Sequence, residues 1–409
     1  MSIDTRNYRT KSIYKPRVNQ LLPNGERPER VVIKNDEWPI GLDIGYSGVK
    51  GYCYNAIFSF PSYAKNIGPN PTFYGKLQED EILYKDLETG DVWRVGRNAE
   101  NMLSERDTSS SQLELYGRDR YYTMMFLVLI RTGIALGIQS NECGDYNGER
   151  IVIQTGLPPA YKEADTEPLT DAFAGQHKFA IKTARTDRYI TYDLNITRKD
   201  VRVMSQPEGT LMSIAMDDSG RTLKGAQKYF SNVIIWDAGF GTFDLFDISN
   251  QTIHSKESFG DIGMRAVLEE TCKKIHERDG VVVRPQVMQN ILEKGTVTVQ
   301  TRTRGKIASR LVPIADLLEE ASQEVCEKAV EKVIDMYSGL DRYQFLVLTG
   351  GTAAAWRDQV KEAFSQVENL TVIDGNINCP DLDMIFCNVR GYFLYLINAL
   401  KQEALKKKQ

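Results

Sequence analysis

The residues best suited to chemistry lie in two similar segments about half a chain apart. The letters LDIGY occur at residues 42–46 and the letters WDAGF at residues 236–240. In both segments an apolar stretch ends in an aspartate, and a glycine-containing turn and an alternating stretch follow. This pattern predicts a β-hairpin with a carboxylate at the end of its first strand. One Asp-x-Gly turn is usually only a turn, but two of them after buried strands are less expected by chance.

The chemistry that this repeat indicates is the binding of phosphate groups. Glycines let the backbone turn so that successive N–H groups point into one concavity, which suits phosphate oxygens. Two glycines in each hairpin are predicted to do this: Gly45, Gly48, Gly239 and Gly241. Asp43 and Asp237 could hold hydrated Mg²⁺, which keeps most of its waters and takes few protein carboxylates. Two hairpins facing each other would hold the phosphates of a nucleotide between two lobes.

A third glycine element supports a nucleotide site. The letters LTGGT at residues 348–352 follow a buried apolar run and precede a helical pattern, so Gly350 and Gly351 would let a flat or anionic group approach a helix N-terminus. A turn that needs glycine only for steric reasons is the alternative. No Walker A motif competes, because residues 220–225 have the glycine spacing without the following Lys-Ser/Thr.

These motifs need strands and helices that position them. Short apolar runs predict buried strands, and apolar residues at three- and four-residue spacing predict helices. The predicted strands include residues 38–43, 151–155, 233–237 and 345–349, and the predicted helices include residues 121–138, 263–277, 315–337 and 353–364. Because strands and helices are mixed in both halves, we predict an α/β protein with two lobes.

The predicted domain organisation has two lobes and two flanking segments. Lobe I spans residues 37–212, with an inserted small subdomain at about residues 55–120, and lobe II spans residues 213–384. Residues 385–409 are predicted to form a C-terminal helix that returns to lobe I. Residues 1–36 lack apolar periodicity, so we interpret them as a polar, basic N-terminal extension that is a solvated tail by default.

Composition excludes several classes of protein. With 409 residues, 42% hydrophobic and 26% charged, the chain is globular and has room for roughly two to four domains. The 51 Lys and Arg against 55 Asp and Glu give a net charge of −4, whereas a nucleic-acid coat needs a basic excess. Scattered cysteines without a C-x-x-C pair argue against a zinc site and for a reducing compartment. Because we see no secretory signal and no run of membrane length, we predict a soluble cytoplasmic protein.

Taken in order, the motifs resemble the actin, sugar-kinase and heat-shock-chaperone ATPase superfamily, and within it bacterial actin-like proteins of the ParM type, which segregate plasmids. The resemblance covers about residues 38–400. Further matching segments are residues 151–158, 201–208, 259–263 and 388–391, which carry the LP turn, the hydrolytic segment, a turn before a helix and a closing N-x-x-G element. The resemblance implies a two-lobed, actin-like (duplicated ribonuclease-H-like) ATPase fold with a nucleotide cleft between the lobes.

The resemblance also implies roles for single residues. Those implied in nucleotide binding are Asp43, Gly45, Tyr46, Ser47, Gly48, Lys50, Gly239, Phe240, Gly241, Thr242, Gly263, Gly350, Gly351 and Thr352. Asp43 and Asp237 would order Mg²⁺ through water, and Asp237 and Glu208 would be catalytic, Glu208 by polarising the attacking water. An insertion shifts the local pattern, so Gln206 is a possible substitute for Glu208. Lys50 would reach a phosphate, or would be a solvated strand lysine.

The implied function is that of a polymerising ATPase that forms cytomotive filaments. ATP, with GTP as a second possibility, and Mg²⁺ would be the cofactors, and hydrolysis would drive filament turnover. The expected partners are further copies of the chain, in a head-to-tail contact that does not close on itself, and a DNA-bound adaptor of a plasmid partition system. No direct DNA binding is expected, in agreement with the net charge.

Two alternatives remain open at this point. A metabolite kinase of the same superfamily would need a base carboxylate aimed at a substrate hydroxyl, and no separate aspartate motif assigns one. A membrane-tethered scaffold would use the apolar residues 392–400 and the lysines that follow them, which could lie on an anionic surface. A helix packed against lobe I with a solvated basic end is the favoured interpretation of that segment.

Overall fold

The computed structural model describes residues 3–17, 36–103, 117–186, 188–303, 305–337 and 339–407. The elements of the first half are β1 (Ile13–Pro16), β2 (Glu37–Ile44), β3 (Gly48–Cys53), β4 (Ala56–Pro61), β5 (Ala64–Gly68), β6 (Ile82–Asp86), β7 (Val92–Val95), α1 (Arg97–Glu100), α2 (Met124–Ile138), β8 (Arg150–Leu157), α3 (Lys162–Phe173), β9 (Gly175–Thr183), β10 (Ile190–Ile196), β11 (Val201–Ser205) and α4 (Gln206–Ala215). Those of the second half are β12 (Val233–Ala238), β13 (Phe243–Ser249), β14 (Thr252–Phe259), α5 (Met264–Asp279), α6 (Met288–Lys294), β15 (Thr296–Thr303), β16 (Lys306–Pro313), α7 (Ala315–Met336), β17 (Phe345–Thr349), α8 (Gly351–Ala363), β18 (Thr371–Asp374) and α9 (Cys387–Lys406).

Two central sheets repeat one arrangement. The sheet of lobe I has the order β1-β4-β3-β2-β8-β11, and the sheet of lobe II has the order β14-β13-β12-β17-β18. In lobe I, β2 pairs antiparallel with β3 and parallel with β8. In lobe II, β12 pairs antiparallel with β13 and parallel with β17. The predicted α/β class with two similar lobes is therefore confirmed, and the repeated hairpins occupy equivalent places in the two sheets.

Two smaller sheets flank the central ones. One has the order β10-β9-β6-β7-β5, so strands from residues 64–95 join strands from residues 175–196. The predicted small subdomain thus shares its sheet with a later part of lobe I, and residues 104–116 of it lie outside the described residues. The other small sheet is the hairpin β15–β16 in lobe II.

Helix α4 was not predicted from the sequence. It begins at Gln206 because Ser205 and Glu208 form a capping box, in which each side chain accepts a hydrogen bond from the backbone N–H of the other residue. The predicted boundary between the lobes, at residues 212–213, falls inside this helix.

Helices α4 and α9 cross where the two lobes meet. The apolar face of α4, with Leu211 and Ile214, packs into the core of lobe II, whereas Leu396 of α9 packs on Val152 of lobe I. At the crossing, a Cβ built on Gly391 would lie 1.6 Å from the carbonyl oxygen of Gly209. Only glycine at residue 391 permits this separation, so the pair sets how closely the lobes approach.

Residues 3–17 are not the solvated tail that the sequence predicted. A 3₁₀ turn at Thr5–Tyr8 is followed by β1, which pairs antiparallel with β4 and adds a strand to the sheet of lobe I. The free backbone groups of the β4 edge explain why a segment without apolar periodicity is ordered there. Among the helices in the described parts of the chain, none combines the length and apolarity that a membrane span requires.

Candidate functional site

A cavity of about 500 Å³ lies between the two central sheets. This volume is in the range of small-molecule sites. Both repeated hairpins, the turn between β17 and α8, and the start of α9 line it. The predicted site residues that line the cavity are Asp43, Gly45, Tyr46, Ser47, Gly48, Lys50, Asp237, Gly239, Phe240, Gly241, Thr242, Gly350, Gly351 and Thr352. Glu208 and Gly263 are the two predicted residues that do not line it.

Hairpin one joins β2 to β3 and carries a cross-strand ion pair. Its turn is closed by a hydrogen bond from Gly45 N–H to the carbonyl of Gly48 at 3.2 Å. Asp43 is buried and lies opposite Lys50 in the strand register. The Lys50 Nζ atom donates to Asp43 Oδ2 at 3.0 Å. The lysine is thus held inside the cavity instead of projecting into solvent.

Hairpin two joins β12 to β13 and is built in the same way. Gly239 N–H donates to the carbonyl of Thr242 at 2.9 Å. The two hairpins touch across the cavity, because a Cβ built on Gly241 would lie 2.7 Å from the Tyr46 ring. The structure therefore brings together the two turns that the sequence predicted to face each other.

The acidic side of the cavity is on hairpin two. Asp237 accepts a hydrogen bond from Asn388 Nδ2 at 2.7 Å, and burial raises its pKa to about 6 although that bond acts in the other direction. Asp244 lies opposite Asp237 in the register, and burial, followed by the charge of Asp237, raises the pKa of Asp244 to about 8. The sequence analysis missed Asp244, although it stands seven residues after Asp237, as Lys50 does after Asp43.

The turn between β17 and α8 matches the predicted glycine element. Gly350 has a φ of +93°, and a Cβ there would lie 2.3 Å from the carbonyl oxygen of Ala238, so a side chain would collide with hairpin two. Thr352 in the first turn of α8 donates its hydroxyl to the carbonyl of Gly239 at 2.6 Å. This element therefore lies against hairpin two and presents the N-terminus of α8 to the cavity.

The donor set fits a nucleotide with a hydrated cation better than a directly chelated metal. Within the described residues, no group of three or more His, Cys, Asp or Glu side chains could hold a metal ion. Asp43 and Asp237 instead come from the two hairpins that line the cavity, and a carboxylate that binds through water suits Mg²⁺. Glycine turns on both walls leave room for phosphate groups beside the backbone.

Comparisons with known proteins agree with this architecture. Residues 41–209 match the family of actin-like proteins, N-terminal domain. A 15-stranded ParM filament from Clostridium botulinum matches with a TM-score of 0.63 at 18% identity, over 87% of this chain and 98% of that chain. The apo psk41 ParM protein gives 0.59 at 19% identity, over 90% and 99%. An archaeal actin homologue in complex with ADP gives 0.57 at 15% identity, over 89% and 99%.

The chain has an actin-like fold. The resemblance to ParM-type actin-like proteins that the motifs indicated is thereby confirmed, and at these identities the structural matches establish the fold. No curated protein matches the chain in sequence.

Within this actin-like fold, Glu208 does not line the cavity, and its catalytic role stays a prediction. Its Oε2 accepts the N–H of Ser205 at 2.8 Å and lies 3.7 Å from Lys162 Nζ. Gln206, the substitute that the shifted pattern allowed, does line the cavity and donates from Nε2 to Asp43 Oδ1 at 3.2 Å. The carboxylate of Glu208 stabilises the start of α4, and the amide of Gln206 points to the cavity.

Gly263 lies behind hairpin two, outside the cavity. Its φ is +140°, and the N–H groups of the next two residues, Met264 and Arg265, donate to the carbonyls of Gly239 and Phe240 at 3.2 and 2.9 Å. Helix α5 therefore fixes the backbone of hairpin two. Met264, not Gly263, reaches the cavity.

The sequence analysis also missed a buried cation beneath hairpin one. Arg120 donates to the carbonyl of Ile44, and its guanidinium lies 4.8 Å from the ring centre of Tyr46 and 4.7 Å from that of Phe126. Burial lowers the pKa of Arg120 from its ordinary value. No sequence motif marks this arginine, because its contacts come from the packing of distant elements.

Proposed function

We propose that this chain is a nucleotide-dependent, polymerising actin-like ATPase that forms cytomotive filaments. The observation that carries the proposal is the contact between the two hairpins, in which Tyr46 packs on Gly241 inside one cavity lined by Asp43 and Asp237. A nucleotide bound there touches both lobes, so the contacts of its phosphates depend directly on the distance between the lobes. ATP is the proposed nucleotide, and GTP is the second candidate.

The backbone and charged groups of the two hairpins would hold the phosphates. N–H groups of the turns bind the oxygens, and Lys50 supplies a positive charge at 3.0 Å from Asp43. Mg²⁺ bound with the nucleotide would neutralise phosphate charge, and Asp43 and Asp237 would hold its water ligands. Gly350, Gly351 and Thr352 would border the adenosine at the N-terminus of α8.

Gln206 is the residue that we propose orients the attacking water. Its Nε2 donates to Asp43 Oδ1, which leaves Oε1 free to accept a hydrogen bond from a water in the cavity. A neutral amide positions the water without removing its proton, and such positioning is sufficient in phosphoryl transfer. Glu208 has no part in this step because its carboxylate caps α4.

Assembly follows from the same geometry. Binding that bridges both lobes favours the closed arrangement, and head-to-tail contacts between closed copies generate an open filament. The matched structures include a 15-stranded ParM filament and an Alp12 filament, which supports self-association as the proposed role. Hydrolysis then weakens the contact and turns the filament over. Plasmid segregation through a DNA-bound adaptor is the proposed use, since the net charge of −4 does not favour direct DNA binding.

The test is sedimentation combined with phosphate release. Purified chain at micromolar concentration is incubated with Mg²⁺ and ATP, GTP, ADP or no nucleotide, and the pellet and the released phosphate are measured. Polymer that forms with triphosphate and decays as phosphate is released is the expected result. The Asp237→Asn variant should lose phosphate release and the decay of its polymer, and Asp358→Asn, which changes an exposed carboxylate, should keep both. Absence of a nucleotide-dependent polymer would refute the proposal.

A further inference from the structure

The N-terminal strap, residues 3–17, crosses the mouth of the nucleotide cleft from lobe II to lobe I. Its 3₁₀ turn lies on lobe II and its strand β1 lies in the sheet of lobe I. Seven strap residues line the same cavity as the two hairpins: Ile3, Asp4, Asn7, Tyr8, Arg9, Thr10 and Lys11. The strap is therefore a wall of the cavity, and it is a wall that nothing in the motif pattern predicts.

On lobe II the strap is attached to helix α6. Thr5 donates its hydroxyl to the carbonyl of Leu292 at 2.6 Å, and the N–H of Thr10 donates to Gln289 Oε1 at 3.1 Å. Ile3 and Tyr8 pack against the apolar core of that lobe. These contacts combine polar and apolar groups, as a specific docking site does.

Arg9 is a buried attachment of the strap to lobe II. It forms an ion pair with Glu293 of α6, and its side chain is only 5% exposed. Its charge also acts on the buried Glu100 of lobe I, where it opposes the effect of burial on the pKa of that carboxyl. One guanidinium thus lies between carboxyl groups of both lobes.

The main-chain hydrogen bonds of the strap change lobe between two consecutive residues, although the Lys11 side chain still pairs with Asp383 of lobe II. Thr10 is hydrogen-bonded to Gln289 of lobe II, and the carbonyl of the next residue, Lys11, accepts the hydroxyl of Ser59 of lobe I at 2.8 Å. Consecutive Cα atoms are separated by about 3.8 Å, so no slack exists between the two attachments. Any opening of the cleft at this edge must break one set of contacts.

The strap also touches hairpin one directly. A Cβ built on Gly48 would lie 3.1 Å from the methyl group of Thr10, so the strap covers the turn that is proposed to bind phosphate. The cavity of about 500 Å³ remains with the strap in place, so the strap leaves room for a ligand and does not fill the site.

We propose that the strap is part of the nucleotide site and retains bound nucleotide, so that exchange requires residues 3–10 to detach from α6. The proposal rests on the function proposed above, because it takes a nucleoside di- or triphosphate as the ligand. The geometry that supports retention is that the strap forms one wall of the cavity, so that breaking the Thr5, Arg9 and Thr10 contacts opens this side of the site.

Displacement of a fluorescent nucleotide from the full chain with Mg²⁺ tests this. The variants are Arg9→Ala and a deletion of residues 2–10, which keeps β1. The matched control is Arg6→Ala, since Arg6 is on the same turn but its side chain bonds only Asp4 within the strap. Loss of a charged hydrogen bond predicts dissociation about tenfold faster in Arg9→Ala, at least as fast in the deletion, and unchanged in Arg6→Ala.

A reversible disulfide between the strap and lobe II should have the opposite effect on nucleotide dissociation. A Cβ built on Gly295 would lie 3.3 Å from Thr5 Oγ1, so a disulfide between Thr5→Cys and Gly295→Cys can join the strap to lobe II, at the cost of a side chain at a φ of +66°. Oxidation should slow nucleotide dissociation about tenfold, and reductant should restore it. The two single cysteine variants control for the six cysteines already present.

Each outcome decides between the proposals. Equal dissociation rates in the parent chain, Arg9→Ala and the deletion variant would overturn retention. Tighter binding in the deletion variant would overturn it as well, because the strap would then exclude nucleotide. A parent chain and deletion variant that both fail to bind nucleotide in calorimetry would refute the proposed function itself.

Discussion

Hairpins one and two have equivalent backbones and opposite charge at one position. In hairpin one the residue opposite the aspartate is Lys50, which pairs with Asp43 at 3.0 Å. In hairpin two the residue opposite the aspartate is Asp244, and Asp237 is hydrogen-bonded to the neutral amide of Asn388. Each opposing residue stands seven positions after its aspartate, so one register position is filled by a cation in one lobe and by a carboxyl in the other.

The repeated motif alone would predict the same role for both hairpins. The different residue opposite the aspartate indicates that their roles differ. Hairpin one balances its own charge and can accept an anionic phosphate. Hairpin two carries two buried carboxyl groups whose pKa values are raised, so it gains most from a cation. On the proposed function, we therefore expect phosphate mainly at hairpin one and the hydrated metal mainly at hairpin two.

Replacing the two aspartates in turn should give the largest effect. Asp237→Asn is expected to lower nucleotide hydrolysis roughly 100- to 1,000-fold and to raise the Mg²⁺ concentration needed for half-maximal rate. Asp43→Asn should shift the Mg²⁺ requirement less, because Lys50 already neutralises that carboxylate. Phosphate release measured over a Mg²⁺ titration checks both. Equal shifts in the two variants would contradict the division of roles.

Replacing each of the two candidate water-orienting residues by alanine should give the next largest effect on hydrolysis. Gln206→Ala is expected to lower hydrolysis roughly 10- to 100-fold with little change in nucleotide affinity. Glu208→Ala should keep the rate and lose about 1 kcal/mol of stability, because it removes half of the capping box. Single-turnover hydrolysis and denaturant unfolding distinguish them. A rate loss confined to Glu208→Ala would restore the prediction made from sequence.

Substitutions of Lys50 and Asp244, the residues opposite the two aspartates, should have different effects on binding and stability. Lys50→Met is expected to weaken nucleotide binding about tenfold, since it removes a charge-assisted contact to phosphate. Asp244→Asn should leave binding nearly unchanged and stabilise the fold at neutral pH, because it removes a buried carboxyl whose pKa is raised to about 8. Calorimetry and thermal unfolding measure the two effects. Tighter binding in Lys50→Met would reverse the assignment of phosphate to hairpin one.

A pH-dependent effect on stability, with no change in nucleotide chemistry, concerns the seam where the hairpins meet. Glu100 lies there beside Tyr46 and Phe240, and burial raises its pKa to about 8. A raised folded pKa means that the native state binds the extra proton, so stability is lost as pH rises from about 4.5 to about 8. Glu100→Gln should reduce this loss by up to about 1.4 kcal/mol for each pH unit between these two values, measured by urea unfolding at several pH values. Asp244 acts in the same direction, so the slope decreases without vanishing.

The exposed Glu88 provides the control for that measurement. Glu88→Gln makes the same chemical change on the surface of the same lobe and should leave the pH dependence as it is. If Glu100→Gln and Glu88→Gln have equal slopes, the carboxyl at the seam is not the group that titrates.

Local sequence was sufficient to predict the hairpins and the glycine turn before α8. Asp43 and Asp237 end buried strands, and strand, turn and second strand are all contiguous, so their relation does not depend on distant packing. The position of Glu208 could have been read correctly, since Ser205 and Glu208 have the spacing of a capping box. The seven-residue spacing of Asp244 was also visible but was not compared with that of Lys50.

Other parts of the site depend on contacts between distant residues. Arg120 reaches hairpin one from 76 positions away in the chain, and no pattern around it marks a cavity. The strap uses polar groups to bind at a seam between the lobes. Because of this polarity, the sequence analysis interpreted it as a solvated tail. Segments that join two bodies through hydrogen bonds and ion pairs have no apolar period for sequence analysis to detect.

The crossing of α4 and α9 has a consequence for how this sequence can vary. A side chain at residue 391 would overlap the Gly209 carbonyl, so substitution there would have to displace one lobe against the other. A substitution at this pair would therefore change the geometry of the whole cleft, although neither glycine lines the cavity. Where a mutation faces flexible side chains, those side chains can move to accommodate it. A methyl group added at residue 391 meets backbone atoms of Gly209, so the backbone itself would have to move.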